Sequence, residues 1–67
     1  MNRVRELRLD RYLTQAELAR KAGVVPRTVH SIEKGKDCRV ETKRAILIAL
    51  GIPFERRHEV FLQEKSA

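Results

Sequence analysis

Between Leu13 and Glu33 the chain places its apolar residues so that two short helices, joined at a single glycine, lock onto one another. Leu18 and Ala22 recur at i and i+4, and Val29 and Ile32 at i and i+3, which gives each segment one apolar face when it is helical. Ala19 lies beside the first of these faces, where a side chain of one carbon lets two backbones approach closely. Gly23 stands between the segments and can take the left-handed conformation that a β-carbon penalises. Val24 then drops into the space between the two faces. The start signals agree with this register. Thr14 followed three residues later by Glu17 is a capping box, and Pro26 suits a first helical position because its missing N–H has no partner there.

Two capped helices around a glycine turn form a helix-turn-helix, which makes duplex DNA the leading partner. The run Leu13-Thr14-Gln15 through Ile32-Glu33, the closing Gly35-Lys36 and the later Ala49-Leu50-Gly51-Ile52 resemble the lambda repressor and Cro family of helix-turn-helix regulators, also called the xenobiotic-response-element family. The likeness spans about residues 2 to 54. It implies an all-α fold, a compact domain of four to five helices in which the motif forms helices two and three.

The pattern predicts a first helix from about Asn2, as N-cap, to Arg11, with Val4 and Leu7 facing inward, and a fourth from about Val40 to Leu50, stopped by Gly51. Pro53 to Leu62 is expected to form a short fifth helix on Phe54, Phe61 and Leu62, although Val60-Phe61-Leu62 would equally suit an added strand. Residues 1–62 thus read as a single domain and residues 63–67 as a frayed tail.

In this family the front of the second motif helix, here about residues 26–34, enters the major groove. Matched by position, the base-reading residues are Pro26, Arg27, Thr28 and Ser31, with His30 nearby. Arg27 has the best chemistry, since a guanidinium donates two parallel bonds to guanine O6 and N7; the alternative is a phosphate contact alone. Val25 and Pro26 depart from the family pattern of a polar cap followed by a polar residue, which removes one capping bond worth about 1 kcal/mol. Thr14 and Gln15 match the family's phosphate clamp at a helix N-terminus, and Lys34, Lys36 and Arg39 flank it from the other side, unless they are simply solvated. Arg8 and Glu33 match an ion pair that ties the first helix to the third. Tyr12 stands where relatives carry glycine, so the first helix must end without one.

The chain's 67 residues suffice for one small domain, which buries only about 60% of the surface its unfolded chain exposes. Fifteen Lys and Arg against nine Asp and Glu leave a net charge of +6, which favours a polyanionic partner. No apolar run approaches the roughly 20 residues that span a bilayer, and Met1-Asn2-Arg3 opens into a charged helix, so a cytoplasmic protein is expected. The lone Cys38 and the distant His30 and His58 make no convincing zinc site. Cys38 reads as an incidental reduced thiol or, less simply, a redox sensor. No nucleophile with a neighbouring base, glycine-rich phosphate loop or paired carboxylate is evident, so neither catalysis nor a cofactor is expected.

The reading that unites these features is a sequence-specific DNA-binding regulator, a repressor in its simplest form, acting as a homodimer on a palindromic operator. Phe54, Val60, Phe61 and Leu62 are the expected dimer surface, unless they only cap the domain's own core. The second reading is an antitoxin-like protein that masks a toxin and represses its own operon.

Overall fold

The computed structural model describes residues 2–62. Its elements are α1 (Val4–Asp10), α2 (Gln15–Ala22), α3 (Pro26–Glu33), α4 (Val40–Leu50) and a 3-10 helix over Phe54–Glu59. Among the described residues every regular element is helical, and no helix is long and apolar enough to cross a membrane.

The capping box at the start of α2 is formed in full. Thr14 Oγ1 accepts from Glu17 N at 3.0 Å, and Glu17 Oε1 accepts from Thr14 N at 2.8 Å. Gly23 closes the helix with φ +73, and Val24 N donates back to Ala19 O at 3.0 Å, turning the chain into α3 with Val24 half-buried against the core. α2 lies centrally and packs on both α3 and α4, while α1 packs on α3. The core between them comprises Val4, Leu7, Leu18, Ala19, Val29, Ile32, Ile46, Leu47 and Leu50, completed by Val60 and Phe61. Each large aliphatic buried here contributes about 1.5–3 kcal/mol relative to an exposed position, and Leu18, Val29, Ile46 and Leu47 are fully enclosed.

Both ends of α1 differ from expectation. The helix begins at Val4 rather than near Asn2, because Asn2 serves two elements at once. Its Oδ1 accepts from Val4 N at 3.0 Å, and its Nδ2 donates to Ile32 O at 2.6 Å, binding the first turn of α1 to the end of α3. At the other end Asp10 is the last helical residue, and Tyr12 itself takes the left-handed conformation, with φ +57. Tyr12 N donates to Leu9 O at 2.9 Å and Leu13 N to Arg8 O at 3.1 Å, the same pair of backward bonds that glycine supports at Gly23. A residue with a β-carbon adopts this conformation at a cost of about 1–2 kcal/mol.

The expected fifth helix is present, in place of the alternative strand, as a 3-10 helix with a kink at Arg56 that stops at Glu59, short of the expected Leu62. Val60 and Phe61 are 1% and 5% exposed. Arg3 N donates to Val60 O at 2.8 Å, which brings the segment back to the start of α1, where these two side chains complete the core. The tail expected over residues 63–67 lies outside the described residues.

Candidate nucleic-acid interface

The front of α3 is built without a side-chain cap. Val25 is extended, Pro26 occupies the first turn, and the only backbone closure is Thr28 N to Val25 O at 2.9 Å. Pro26, Arg27 and His30 are exposed, while Thr28 and Ser31 are half-buried on the flank of the helix. Among the described residues, Arg27 enters no hydrogen bond or ion pair, so its guanidinium fork is available to a ligand. His30 Nδ1 lies 3.5 Å from Gln15 Nε2.

Two buried charges set the orientation of α3. Arg8 meets Glu33 through Nε to Oε2 at 2.6 Å and Nη2 to Oε1 at 3.1 Å, and its third nitrogen donates to Leu13 O at 2.8 Å. Gln15 Nε2 then donates to Glu33 Oε1 at 3.0 Å, so the first residue of α2 and the last of α3 share one carboxylate. Burial pushes the Glu33 carboxyl up, but the hydrogen bonds from Arg8 and Gln15 outweigh it and hold the group below its ordinary value. Sequence placed Arg8 with Glu33 by resemblance. The Gln15 link has no signature in the sequence, because a surface-exposed and a bridging glutamine are written alike.

At the start of α2 the capping box consumes Thr14 N and Glu17 N, and Leu18 N donates to Thr14 O. The N–H groups of Gln15 and Ala16 therefore remain without a protein acceptor among the described residues, pointing along the helix axis where an anion is favoured. Two bonds from Thr14 to Glu17, through the backbone and the hydroxyl, hold that carboxyl below its ordinary value, so it stays ionised beside these donors.

Lys34, Lys36 and Arg39 follow α3 and are all exposed, with no ion pair among the described residues. The one acid in this loop, Asp37, is already engaged. The Cys38 backbone N–H and then Lys43, 3.4 Å away, lower its carboxyl below the ordinary value. The ion pairs on the remaining surface, Arg3 with Glu6 and Arg56 with Glu59, are local i, i+3 contacts. Among the described residues Arg27, Lys34, Lys36 and Arg39 thus stand on and just after α3 without an acidic partner.

A profile of the helix-turn-helix family matches residues 4–56, most of the chain and all of α1 to α4. The chain belongs to the Cro/C1-type helix-turn-helix family. No curated protein matches it. As a Cro/C1-type helix-turn-helix protein it carries a DNA-binding domain, in which α2 and α3 are the motif.

The four residues expected at a dimer surface do not form one patch in this helix-turn-helix domain. Val60 and Phe61 are core residues, and Phe54 is half-buried between the Arg44 and Arg57 guanidinium groups at 4.8 and 4.5 Å from its ring. Of the four, only Leu62, at 57% exposed, lies on the open surface. The sequence reading missed the apolar face of α4, where Val40 and Ile48 project either side of Ala45 and line a shallow groove of about 370 Å³ with Glu41 and Arg44. Its signal was visible as two aliphatics eight residues apart, outside the run that forms the core. Cys38 packs half-buried against the core, and no cluster of metal-ligating side chains is found among the described residues.

Proposed function

We propose that this protein is a transcriptional regulator that binds a palindromic operator as a homodimer and represses by covering a promoter. The observation that carries the reading is the unbalanced charge around α3. Among the described residues Arg27 at its front and Lys34, Lys36 and Arg39 behind it form no ion pair, whereas the acids on and just after α3, Glu33 and Asp37, are each held by a basic residue. A surface of this kind gains from releasing counterions on duplex DNA. In this reading Arg27 reads a guanine, Thr28, Ser31, Pro26 and His30 line the groove beside it, and the Gln15 and Ala16 N–H groups with Lys34, Lys36 and Arg39 hold phosphates on either side.

Pairing of two copies supplies the base contacts that a single small domain lacks. Val40, Ile48 and Leu62 are the large aliphatics left in water on α4 and after the 3-10 helix, and they supply the apolar surface for that pairing. The test is footprinting on the DNA upstream of the protein's own gene, followed by a salt titration on the protected fragment. Two protected half-sites about one helical turn apart are expected. With about 6 to 10 phosphate contacts, affinity falls by roughly 10³ to 10⁵ between 50 and 200 mM salt. Affinity that ignores salt overturns the reading.

A further inference from the structure

Among the described residues four turns carry positive φ, at Tyr12, Gly23, Gly35 and Gly51. Three use glycine, the residue for which that conformation is free, and the fourth uses tyrosine. The backbone bonds that close this turn would form equally with glycine, and the Tyr12 side chain adds nothing within the fold that would offset the strain. Its side chain makes no hydrogen bond or ring contact among the described residues, and the residue is 93% exposed. A strained backbone supporting an unsupported aromatic points to a contact made outside the chain.

The neighbouring donors define the chemistry available at this turn. Arg8 is committed to Glu33 and to Leu13 O. Arg11 is committed to Leu50 O at 2.7 Å and Leu7 O at 3.0 Å, joining the ends of α1 and α4. Both cations of the α1–α2 turn are thus anchored on protein oxygens, Arg11 through Nε and Nη1, and the Tyr12 hydroxyl is an exposed neutral donor beside them. Tyr12 precedes Thr14, the cap of α2, by two residues, which is at most about 7 Å of chain.

We propose that Tyr12 contacts the DNA backbone, its phenol O–H donating to a phosphate adjacent to the one that meets the start of α2. The inference rests on the DNA-binding reading and adds to it a neutral donor that the unpaired cations do not supply. It also accounts for a tyrosine at a turn that glycine would hold with less strain. Stability is exchanged for binding at this single position.

The experiment compares the full chain with Tyr12→Gly and Tyr12→Phe, measuring thermal unfolding and binding to a 30-base-pair duplex of mixed sequence, since a phosphate contact is independent of sequence. Tyr12→Gly relieves the strain and raises the unfolding midpoint by about 4 to 8 °C, while affinity for the duplex falls about fivefold. Tyr12→Phe keeps both ring and strain, so its midpoint stays at that of the natural chain and its affinity falls by a similar factor. A Tyr12→Gly chain that is more stable and binds the duplex as well as the natural one overturns the proposal, as does a Tyr12→Phe chain with full affinity. If the natural chain itself binds no duplex, the DNA-binding reading fails first, and that outcome is distinct from either of these.

Discussion

Arg8 and Glu33 face each other through two parallel hydrogen bonds, 2.6 and 3.1 Å long, with side chains only 9% and 4% exposed. Removing either partner leaves the other charge buried, which costs about 3–5 kcal/mol in fully enclosed pairs. For a domain whose whole stability is on the order of 5–15 kcal/mol, that is a large share. Glu33→Gln is therefore expected to lower the urea midpoint sharply, and because Glu33 orients α3, DNA binding is lost in step with folding.

The same pair sets a pH dependence. The Glu33 carboxyl is held below its ordinary value of 4.5 in the folded chain, the hydrogen bonds from Arg8 and Gln15 prevailing over burial. A depressed carboxyl contributes stability in full above the unfolded value, and this is lost as pH falls through the folded value. Thermal midpoints recorded from pH 6 down to pH 2 are expected to fall more steeply for the natural chain than for Glu33→Gln. Parallel curves would show that the pair is not the acid-sensitive element.

Gly23 has φ +73 and open space where a β-carbon would sit, with no atom beyond its chain neighbours within 4 Å. The penalty for Gly23→Ala is accordingly conformational, not steric, about 1 kcal/mol. Gly23→Asn, which tolerates the left-handed region better, is expected to cost less than Gly23→Ala in denaturant titrations. Equal losses would indicate a clash that the geometry does not contain.

Phe61 and Leu62 are neighbours with opposite environments, 5% and 57% exposed. Phe61→Ala opens the core and is expected to destabilise by about 3–5 kcal/mol whatever the oligomeric state. Leu62→Asp leaves the core intact and is expected to lower the sedimentation mass only if the C-terminal end belongs to the pairing surface. An unchanged mass moves that surface to the α4 groove, where Ile48→Asp is the corresponding variant.

Arg27 and Lys36 are both exposed cations, but the proposed roles differ in kind. Arg27→Ala is expected to lose about 1–3 kcal/mol on the native operator and to erase preference for guanine at one position of each half-site. Lys36→Ala weakens every sequence alike and reduces the salt slope by about one per protomer. A panel of single-base variants decides: if Arg27→Ala lowers all of them equally, Arg27 holds the backbone.

What the sequence determined by itself is local. The helical period of Leu18, Ala22, Val29 and Ile32, the Thr14–Glu17 box, Pro26 at the head of α3 and the glycines at Gly23 and Gly51 act within a few residues, so α2, α3 and α4 are legible without the fold. The tertiary structure decided whatever depends on residues brought together from far along the chain. Asn2 reaches Ile32 across 30 positions, Arg11 reaches Leu50 across 39, and Gln15 reaches Glu33 across 18. Polar side chains such as these give no periodic signal, and their partners exist only once the helices have docked. The same holds for Val60 and Phe61. An apolar pair after the last helix is written identically whether it closes its own core or faces another chain, and the bond from Arg3 N to Val60 O, anchored at the opposite end of the sequence, directs it inward. Tyr12 is the converse case, since its sequence neighbours do not disclose a left-handed backbone that arises from fitting α1 onto α2 through a two-bond turn.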